Sequence, residues 1–169
     1  IETLNPDKSR NQLGMFMDAI VASGTPDAPI TAGPYAEIQF DGEPATYADI
    51  VQDMADAYAW GQTDDTTPQD RGSWHYGMNS NGHMDNSSSQ WAAIGLLSAE
   101  RVWGLTVPDF VKSELSEHAL AVTRNPANGT FGYGNNGNVC LWGCAATTPS
   151  GMVQINLVGV GSDDVRFAQ

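Results

Sequence analysis

Three side chains that could together bind a divalent metal ion, His75, His83 and Asp85, fall within one short stretch of the chain. Imidazole nitrogens and carboxylate oxygens are common protein ligands for such ions. The stretch is rich in Asn, Ser and Gly, however, and the spacing of the two histidines matches no recognised ligand pattern. We therefore interpret both histidines as surface or structural residues and expect no cofactor, with a metal site at these three residues as the alternative.

Asp85 has two possible roles, because it comes shortly before a run that is apolar nearly all round from Trp91 to Ala99. Such a run predicts a helix that is buried on every side. An Asp at its start would cap it by accepting backbone N–H bonds from Ser87 or Ser88, and the helix dipole would favour the negative charge. Gln90, three residues after Ser87, also suggests a capping box. We predict the cap, with a catalytic acid as the alternative.

Aromatic residues near this helix could line a pocket for a hydrophobic or glycan ligand. The candidate ligand-binding residues are Tyr76, Tyr133, Trp91 and Asp18. Asp18 is included because it and Asp85 are the two carboxylates on predicted buried helices, and glycan-active enzymes need a pair of carboxylates facing one cleft. Trp74 and Phe131 are interpreted as packing residues between helices.

The sequence contains two cysteines, Cys140 and Cys144. On a continuous helix they would share one face, which is a poor geometry for a bridge, whereas a loop containing glycine would allow a disulfide. A local disulfide and two free thiols are both consistent with this spacing. A zinc site would need about four ligands and finds only these two here.

The pattern of apolar residues and glycines between them predicts five helices and one short strand, at 36–40. Three helices are apolar nearly all round and two have one acidic or polar face. We predict buried inner helices at about 9–23, 87–103 and 150–160, and amphipathic outer helices at about 46–60 and 108–123. Long loops rich in Gly, Pro and Asn connect them.

The turn formed by Gly72, Trp74, Tyr76 and Gly77 recurs 57 residues later as Gly129, Phe131, Tyr133 and Gly134. Repetition at such a period indicates units that bury their faces against their neighbours. Alternation of buried and amphipathic helices further implies an inner and an outer layer. We therefore predict an all-α fold, a partial α/α toroid, in which residues 1–169 are one domain or a fragment of a larger ring.

The formal net charge is −13, from 20 acidic and seven basic residues. Binding to a nucleic-acid backbone needs a basic surface, so we expect no nucleic-acid partner. No apolar run reaches the ~20 residues of a membrane span. The chain begins at Ile1, and we interpret it as a processed or excised piece of a larger protein. Its acidity favours an extracytoplasmic or secreted setting.

Residues 69–74, QDRGSW, resemble half of the QW motif of squalene and terpenoid cyclases, and residues 125–131, NPANGTF, resemble a degenerate copy. The stretch DNSSSQWAAIGLL from Asp85 is similar to the inner-helix starts of the wider prenyltransferase and squalene-oxidase repeat superfamily. The resemblance covers about 9–24 and 46–161, and it implies an α/α toroid.

The motifs of three activities found in that superfamily are missing from this sequence. Cyclases of the squalene-hopene type carry D-x-D-D, whereas the matching stretch from Asp85 has Asn86 in place of a second acid. Protein prenyltransferases carry a zinc-binding D-x-C string, and thioester domains carry C-G-E-Q; neither string occurs here.

These observations favour a non-catalytic toroid-repeat module of a larger extracytoplasmic protein, with a binding or structural role. Its partners would be the rest of its own protein, or a second copy through the exposed terminal helix. The alternatives are a fragment of a terpenoid-cyclase-like or prenyltransferase-like enzyme with its catalytic residues elsewhere, and a glycan-active α/α toroid. Asn86-Ser-Ser and Asn128-Gly-Thr also match the acceptor string for N-glycosylation.

Overall fold

The computed structural model describes residues 10–33, 35–64, 70–78, 84–134 and 143–164. Within these ranges the chain is mostly helical, as expected for an all-α fold. The helices are α1 (Arg10–Ala22), α2 (Tyr47–Gly61), α3 (Asn86–Trp103), α4 (Asp109–Glu114), α5 (Leu120–Thr123) and α6 (Cys144–Leu157). A π-helical turn, Leu115–Ala119, joins α4 to α5, so the two form one continuous outer helix. Among the described residues, no helix combines the length and the apolar character needed to cross a bilayer.

Helix α3 is the centre of the fold, because it packs against α1 on one side and against α6 on the other. Asp18 of α1 accepts a hydrogen bond from Ser98, about one turn beyond the place where Gly14 meets Gly95. The contacts therefore advance in the same direction along α1 and α3, and the two helices run parallel.

Helix α3 also contacts α6 along its length. Asn86 and Gln90 of α3 bond Gln154 and Ser150 of α6, and Arg101 donates to the Asn156 carbonyl at 2.8 Å. Helices α1, α3 and α6 thus form one row, with α3 in the middle.

Helix α2 packs on this row and runs in the direction opposite to α3. Its middle contacts the chain just after α3, where Gln52 both donates to and accepts from the Thr106 backbone at 2.9 Å. Its last turn lies near the start of α3, where the Trp74 indole donates to the Tyr58 carbonyl at 2.9 Å. Helix α5 contacts α6.

The prediction that 91–99 is buried on every side is confirmed only in part, because Ala92, Ala93, Gly95, Leu96 and Ala99 are buried whereas Trp91, Ile94, Leu97 and Ser98 are half-buried. The α1–α3 contact is especially close. A Cβ atom on Gly14 would lie 1.9 Å from the Trp91 carbonyl oxygen, and one on Gly95 would lie 2.9 Å from the Gly14 Cα. Only glycine allows the two backbones to approach this closely.

The two repeated turns occupy equivalent places. The side chains of Trp74 and Phe131 are each only 1% exposed, so their interpretation as packing residues is confirmed. In each copy of the turn, a hydroxyl group near the start of the next helix forms a hydrogen bond with the backbone of the aromatic residue. Ser89 accepts from the Trp74 N–H, and Thr147 donates to the Phe131 carbonyl. These shared contacts give the sequence repeat a structural counterpart.

Three local predictions are wrong. The third inner helix begins at Cys144, not residue 150, and contains Pro149; it ends at Leu157. The glycine with positive φ that follows it is Gly159, at 79°. The expected capping box of Ser87 and Gln90 does not form, because Asp85 occupies the N-cap position of α3.

The loop between α1 and α2 contains a small hairpin in place of one strand at 36–40. Strand β1 (Gln39–Phe40) pairs antiparallel with β2 (Glu43–Pro44). The two residues between them, Asp41 and Gly42, both have positive φ, which is the conformation that an Asp-Gly hairpin turn provides.

Replacing Trp74 by Ala should lower the free energy of unfolding by on the order of 3–5 kcal/mol, because it removes a fully buried aromatic ring and leaves a cavity. The indole also packs edge-on against Tyr58, with ring centroids 6.0 Å apart. Urea denaturation followed by circular dichroism measures the change. Trp60→Ala is the matched control, because Trp60 is 66% exposed and its loss should change stability little. Equal effects of the two substitutions would contradict this packing.

Candidate functional site

The polar groups singled out by the sequence meet at the start of α3. We define the α3 entry cluster as Asp85, Asn86, Ser87 and Tyr133. Asp85 and Asn86 are only 4% and 1% exposed, and both turns of the repeat reach this end of α3. The cluster combines two buried polar side chains with two half-buried hydroxyl groups, and it contains two of the candidate site residues, Asp85 and Tyr133.

Both oxygens of the Asp85 carboxylate accept hydrogen bonds. Oδ1 accepts from the Ser87 N–H at 2.7 Å, the Ser88 N–H at 3.1 Å and the Ser87 hydroxyl at 2.6 Å. Oδ2 accepts from the Tyr133 hydroxyl at 3.0 Å. The prediction that Asp85 caps α3 through Ser87 or Ser88 is confirmed, and both N–H groups take part.

Asn86 ties the second turn and α6 to the start of α3. Its backbone N–H donates to the Tyr133 carbonyl at 2.9 Å, and its side-chain amide donates to the Gly132 carbonyl. Its Oδ1 accepts from Gln154 of α6 at 2.8 Å, and that glutamine is 1% exposed. Each buried polar group here has a protein partner, as buried amides require.

Tyr133 closes the cluster. Its hydroxyl lies 3.3 Å from the Ser87 hydroxyl and donates to Asp85. The Ser87 hydrogen bond by itself lowers the pKa of Tyr133, but burial and the neighbouring Asp85 carboxylate outweigh it and raise that pKa above its usual range. Tyr133 therefore keeps its proton and serves as the donor that holds Asp85.

This geometry fits a structural role better than acid catalysis. In every contact Asp85 acts as an acceptor, whereas a catalytic acid must deliver a proton to a substrate. Its two oxygens already receive four hydrogen bonds from the chain itself. What the arrangement can do is fix the direction of α3 and the position of the Tyr133 turn.

The other candidate ligand-binding residues do not converge with this cluster on one cleft. Asp18 is exposed and bonds Ser98, which lies 13 residues beyond Asp85. At about 1.5 Å per helical residue this places Asp18 roughly 20 Å from Asp85. Paired catalytic carboxylates are about 5 to 9.5 Å apart, so these two do not form such a pair. Trp91 is half-buried, and its backbone carbonyl meets Gly14.

Tyr76 is the candidate that stays open to solvent, being 51% exposed. Its ring packs edge-on against His75, with centroids 5.3 Å apart. It lies close enough to Tyr133 to contribute to the raised pKa of that residue. Tyr76 thus marks the solvent-facing rim of the α3 entry cluster.

Two of the remaining predicted residues, His83 and Cys140, lie outside the described residues. Cys144, the first residue of α6, is disulfide-bonded. Within the described part of the chain, no group of three or more His, Cys, Asp or Glu side chains is arranged to hold a metal ion. The hypothesis of a metal site at His75, His83 and Asp85 is thus not supported by the described contacts, in which Asp85 is used as a cap.

Sequence reasoning overlooked the residues that connect the cluster to α6. The sequence pattern places Asn86 at a helix start and in an acceptor string for N-glycosylation, and it does not single out Gln154. A signal was available, because amides within strongly apolar helices must find a partner when they are buried. The sequence does not reveal which partner, since Asn86 and Gln154 are 68 residues apart.

Asp85→Asn should change the free energy of unfolding by less than about 1 kcal/mol, because Asn caps helices about as well as Asp. Asp85→Ala should cost about 1–2 kcal/mol, since it leaves the Ser87 and Ser88 N–H groups without their acceptor. Thermal denaturation of both variants measures this difference. A variant Asp85→Asn as unstable as Asp85→Ala would show that the negative charge, and not the cap, is what the site requires.

The raised pKa of Tyr133 predicts a specific loss of stability in alkali. A folded-state pKa above the unfolded value of about 10 gives stability that is fully present below pH 10 and is lost as the pH rises through the folded pKa. Tyr133→Phe removes this contribution. The difference in unfolding free energy between the parent and Tyr133→Phe should therefore shrink above pH 10. A constant difference from pH 8 to 11.5 would contradict the assignment.

No protein-family model, curated protein or solved structure matches the chain. The similarity of residues 69–74 to the QW motif therefore stays a hypothesis, and Gln69 itself lies outside the described residues.

Proposed function

We propose that this chain is a non-catalytic repeat module of the α/α-toroid type, belonging to a larger extracytoplasmic protein in which it has a structural or binding role. The observation that carries the proposal is the use of Asp85. The carboxylate best placed for catalysis has both oxygens engaged by the fold, at 2.6 to 3.1 Å. A module that positions helices needs such a cap, whereas an acid catalyst needs the same group free.

The toroid arrangement is supported by the directions of the helices. Helices α1 and α3 run parallel in one row with α6, and α2 runs opposite to α3, as alternating layers require. The aromatic turns supply a second line of support, because each connects the end of an outer helix to the start of an inner one. Gly72 N–H donates to the Thr63 carbonyl after α2, and Gly132 N–H donates to the Thr123 carbonyl at the end of α5, both at 2.8 Å.

A repeat module should present apolar side chains at the two ends of its row, where neighbours would pack. On α1, Phe16 is 55% exposed and borders a groove of about 280 Å³ with Ile20 and Tyr47. On α6, Met152 is 40% exposed and borders a groove of about 340 Å³ with Val153 and Val160.

The terminal helix, expected to be exposed, is exposed on only part of its surface. Ile155 is 1% exposed and belongs to the core, and Val158 is half-buried. The face that α6 offers to a neighbour is therefore centred on Met152. Helix α6 also contains no charged residue, which removes one obstacle to packing in a chain of net charge −13.

The extracytoplasmic setting is supported by the disulfide at Cys144, because disulfides persist mainly in oxidising compartments. The strongly acidic surface is compatible with the same setting. Among the alternatives, a glycan-active toroid is disfavoured by the distance between Asp18 and Asp85. No described contact favours a terpenoid-cyclase-like or prenyltransferase-like enzyme over the module.

If the ends of the row are packing surfaces, the isolated chain should self-associate through them as its concentration rises. Sedimentation velocity from 1 to 200 μM should show a growing mass for the parent chain, and Phe16→Ser and Met152→Ser should each reduce it. The exposed apolar side chains would lose solvent contact in the associated form, which is the driving force.

Trp60→Ser is the matched control for this experiment. Trp60 is the more exposed aromatic, at 66%, but it lies on α2 and not at either end of the row. Its substitution should leave the association unchanged. A chain that stays monomeric throughout, or one whose association depends on Trp60, would contradict the proposed packing surfaces.

A further inference from the structure

Two tripeptides in this chain match the acceptor string for N-linked glycans, Asn-x-Ser/Thr with x other than Pro. They are Asn86-Ser87-Ser88 and Asn128-Gly129-Thr130. The sequence disfavours the first, because Asn86 falls at the predicted start of a helix. The structure separates the two further, because the asparagines lie in opposite environments.

Asn86 is unavailable to any modifying enzyme in the folded protein. It is 1% exposed, and its side-chain amide nitrogen already donates to the Gly132 carbonyl. Its Oδ1 accepts from Gln154 at 2.8 Å. A glycan on this nitrogen would require α3 to separate from both α6 and the Tyr133 turn.

Asn128 lies in the turn between α5 and Phe131, and it is exposed. Its Oδ1 accepts from the Thr130 N–H at 3.2 Å and from the Thr130 hydroxyl at 2.8 Å. The threonine of the acceptor string is therefore already in contact with the asparagine side chain. Within the described part of the chain the Asn128 amide nitrogen donates no hydrogen bond, so the atom that would be modified faces no competitor.

The side chain of Asn128 does not anchor its turn to another helix, whereas the residue at the matching position of the first turn does. The residue 57 positions earlier is Arg71, which holds that turn onto α4 through two contacts of 2.6 Å with Glu114. Among the described residues, the Asn128 side chain forms hydrogen bonds only with Thr130, two residues away. A bulky group on Asn128 would thus displace no tertiary contact among the described residues.

We propose that Asn128 is an acceptor for N-linked glycosylation, an inference that rests on the extracytoplasmic placement given above. The donor class is a lipid-pyrophosphate-linked oligosaccharide. The Asn128 side-chain nitrogen attacks the anomeric carbon of the donor sugar and forms the N–C bond. The bond from that carbon to the pyrophosphate oxygen breaks, the lipid pyrophosphate leaves, and the nitrogen loses one proton. Thr130 orients the acceptor through its hydroxyl.

The test uses the purified, folded chain with a single-subunit oligosaccharyltransferase and a lipid-pyrophosphate-linked oligosaccharide. Intact-mass and glycopeptide mass spectrometry should find one glycan, on Asn128. Thr130→Ala should reduce occupancy to background, and Thr130→Ser should retain part of it because the hydroxyl is kept.

Ser88→Ala is the matched control, because it removes the second acceptor string at little structural cost. The Ser88 hydroxyl is buried and has no hydrogen-bond partner, so the fold should tolerate its loss. Occupancy of Asn128 should be unchanged in this variant. An unmodified Asn128, or a glycan on Asn86 of the folded chain, overturns the proposal. Fractionation of the producing cells tests the extracytoplasmic placement alone, so the two inferences can fail separately.

Discussion

The central constraint on this fold is the burial of α3, which has neighbours on both sides and an outer helix across it. A helix in the protein interior cannot leave its first N–H groups to water, so the chain must supply acceptors for them. Asp85 provides acceptors for two, and Tyr133 holds Asp85 in place while its own backbone carbonyl receives the Asn86 N–H. The position of the second turn is therefore coupled to the start of the central helix.

The row of α1, α3 and α6 uses two different kinds of contact. The α1–α3 contact depends on the absence of side chains, since Gly14 and Gly95 let the two backbones touch. The α3–α6 contact depends on polar side chains, through the buried pair Asn86 and Gln154 and through the half-buried Gln90 with Ser150. A fully bonded polar contact in a region of low dielectric tolerates few alternative partners, whereas apolar contacts tolerate many.

The features that could be predicted from the sequence are those that depend on residues close together in the chain. They are the largely buried run 91–99, the Asp85 cap and the places of the two aromatic turns. The start of α6 could not be predicted, because its first half has the Thr-, Ser- and Pro-rich composition of a loop. That half is helical where Thr147 and Thr148 bond the backbone of Phe131, which is 16 and 17 residues away. The Asn86–Gln154 pair and the separation of Asp18 from Asp85 likewise depend on how helices pack, and no local pattern carries that information.

The two kinds of contact bear on how the row would be extended in the proposed module. A helix that packs against α3 in the place of α6 must hydrogen-bond the Asn86 side chain, because a buried amide without a hydrogen bond is costly. The outward side of α6 makes no such demand, since the exposed residue at its centre is Met152. The outward side of α1 is also apolar, with Met15 and Phe16 exposed. The polar network thus fixes the order α1, α3, α6 inside the chain, whereas the apolar ends of the row can pack against different neighbours. A module built this way keeps its internal register whichever apolar neighbour it packs against.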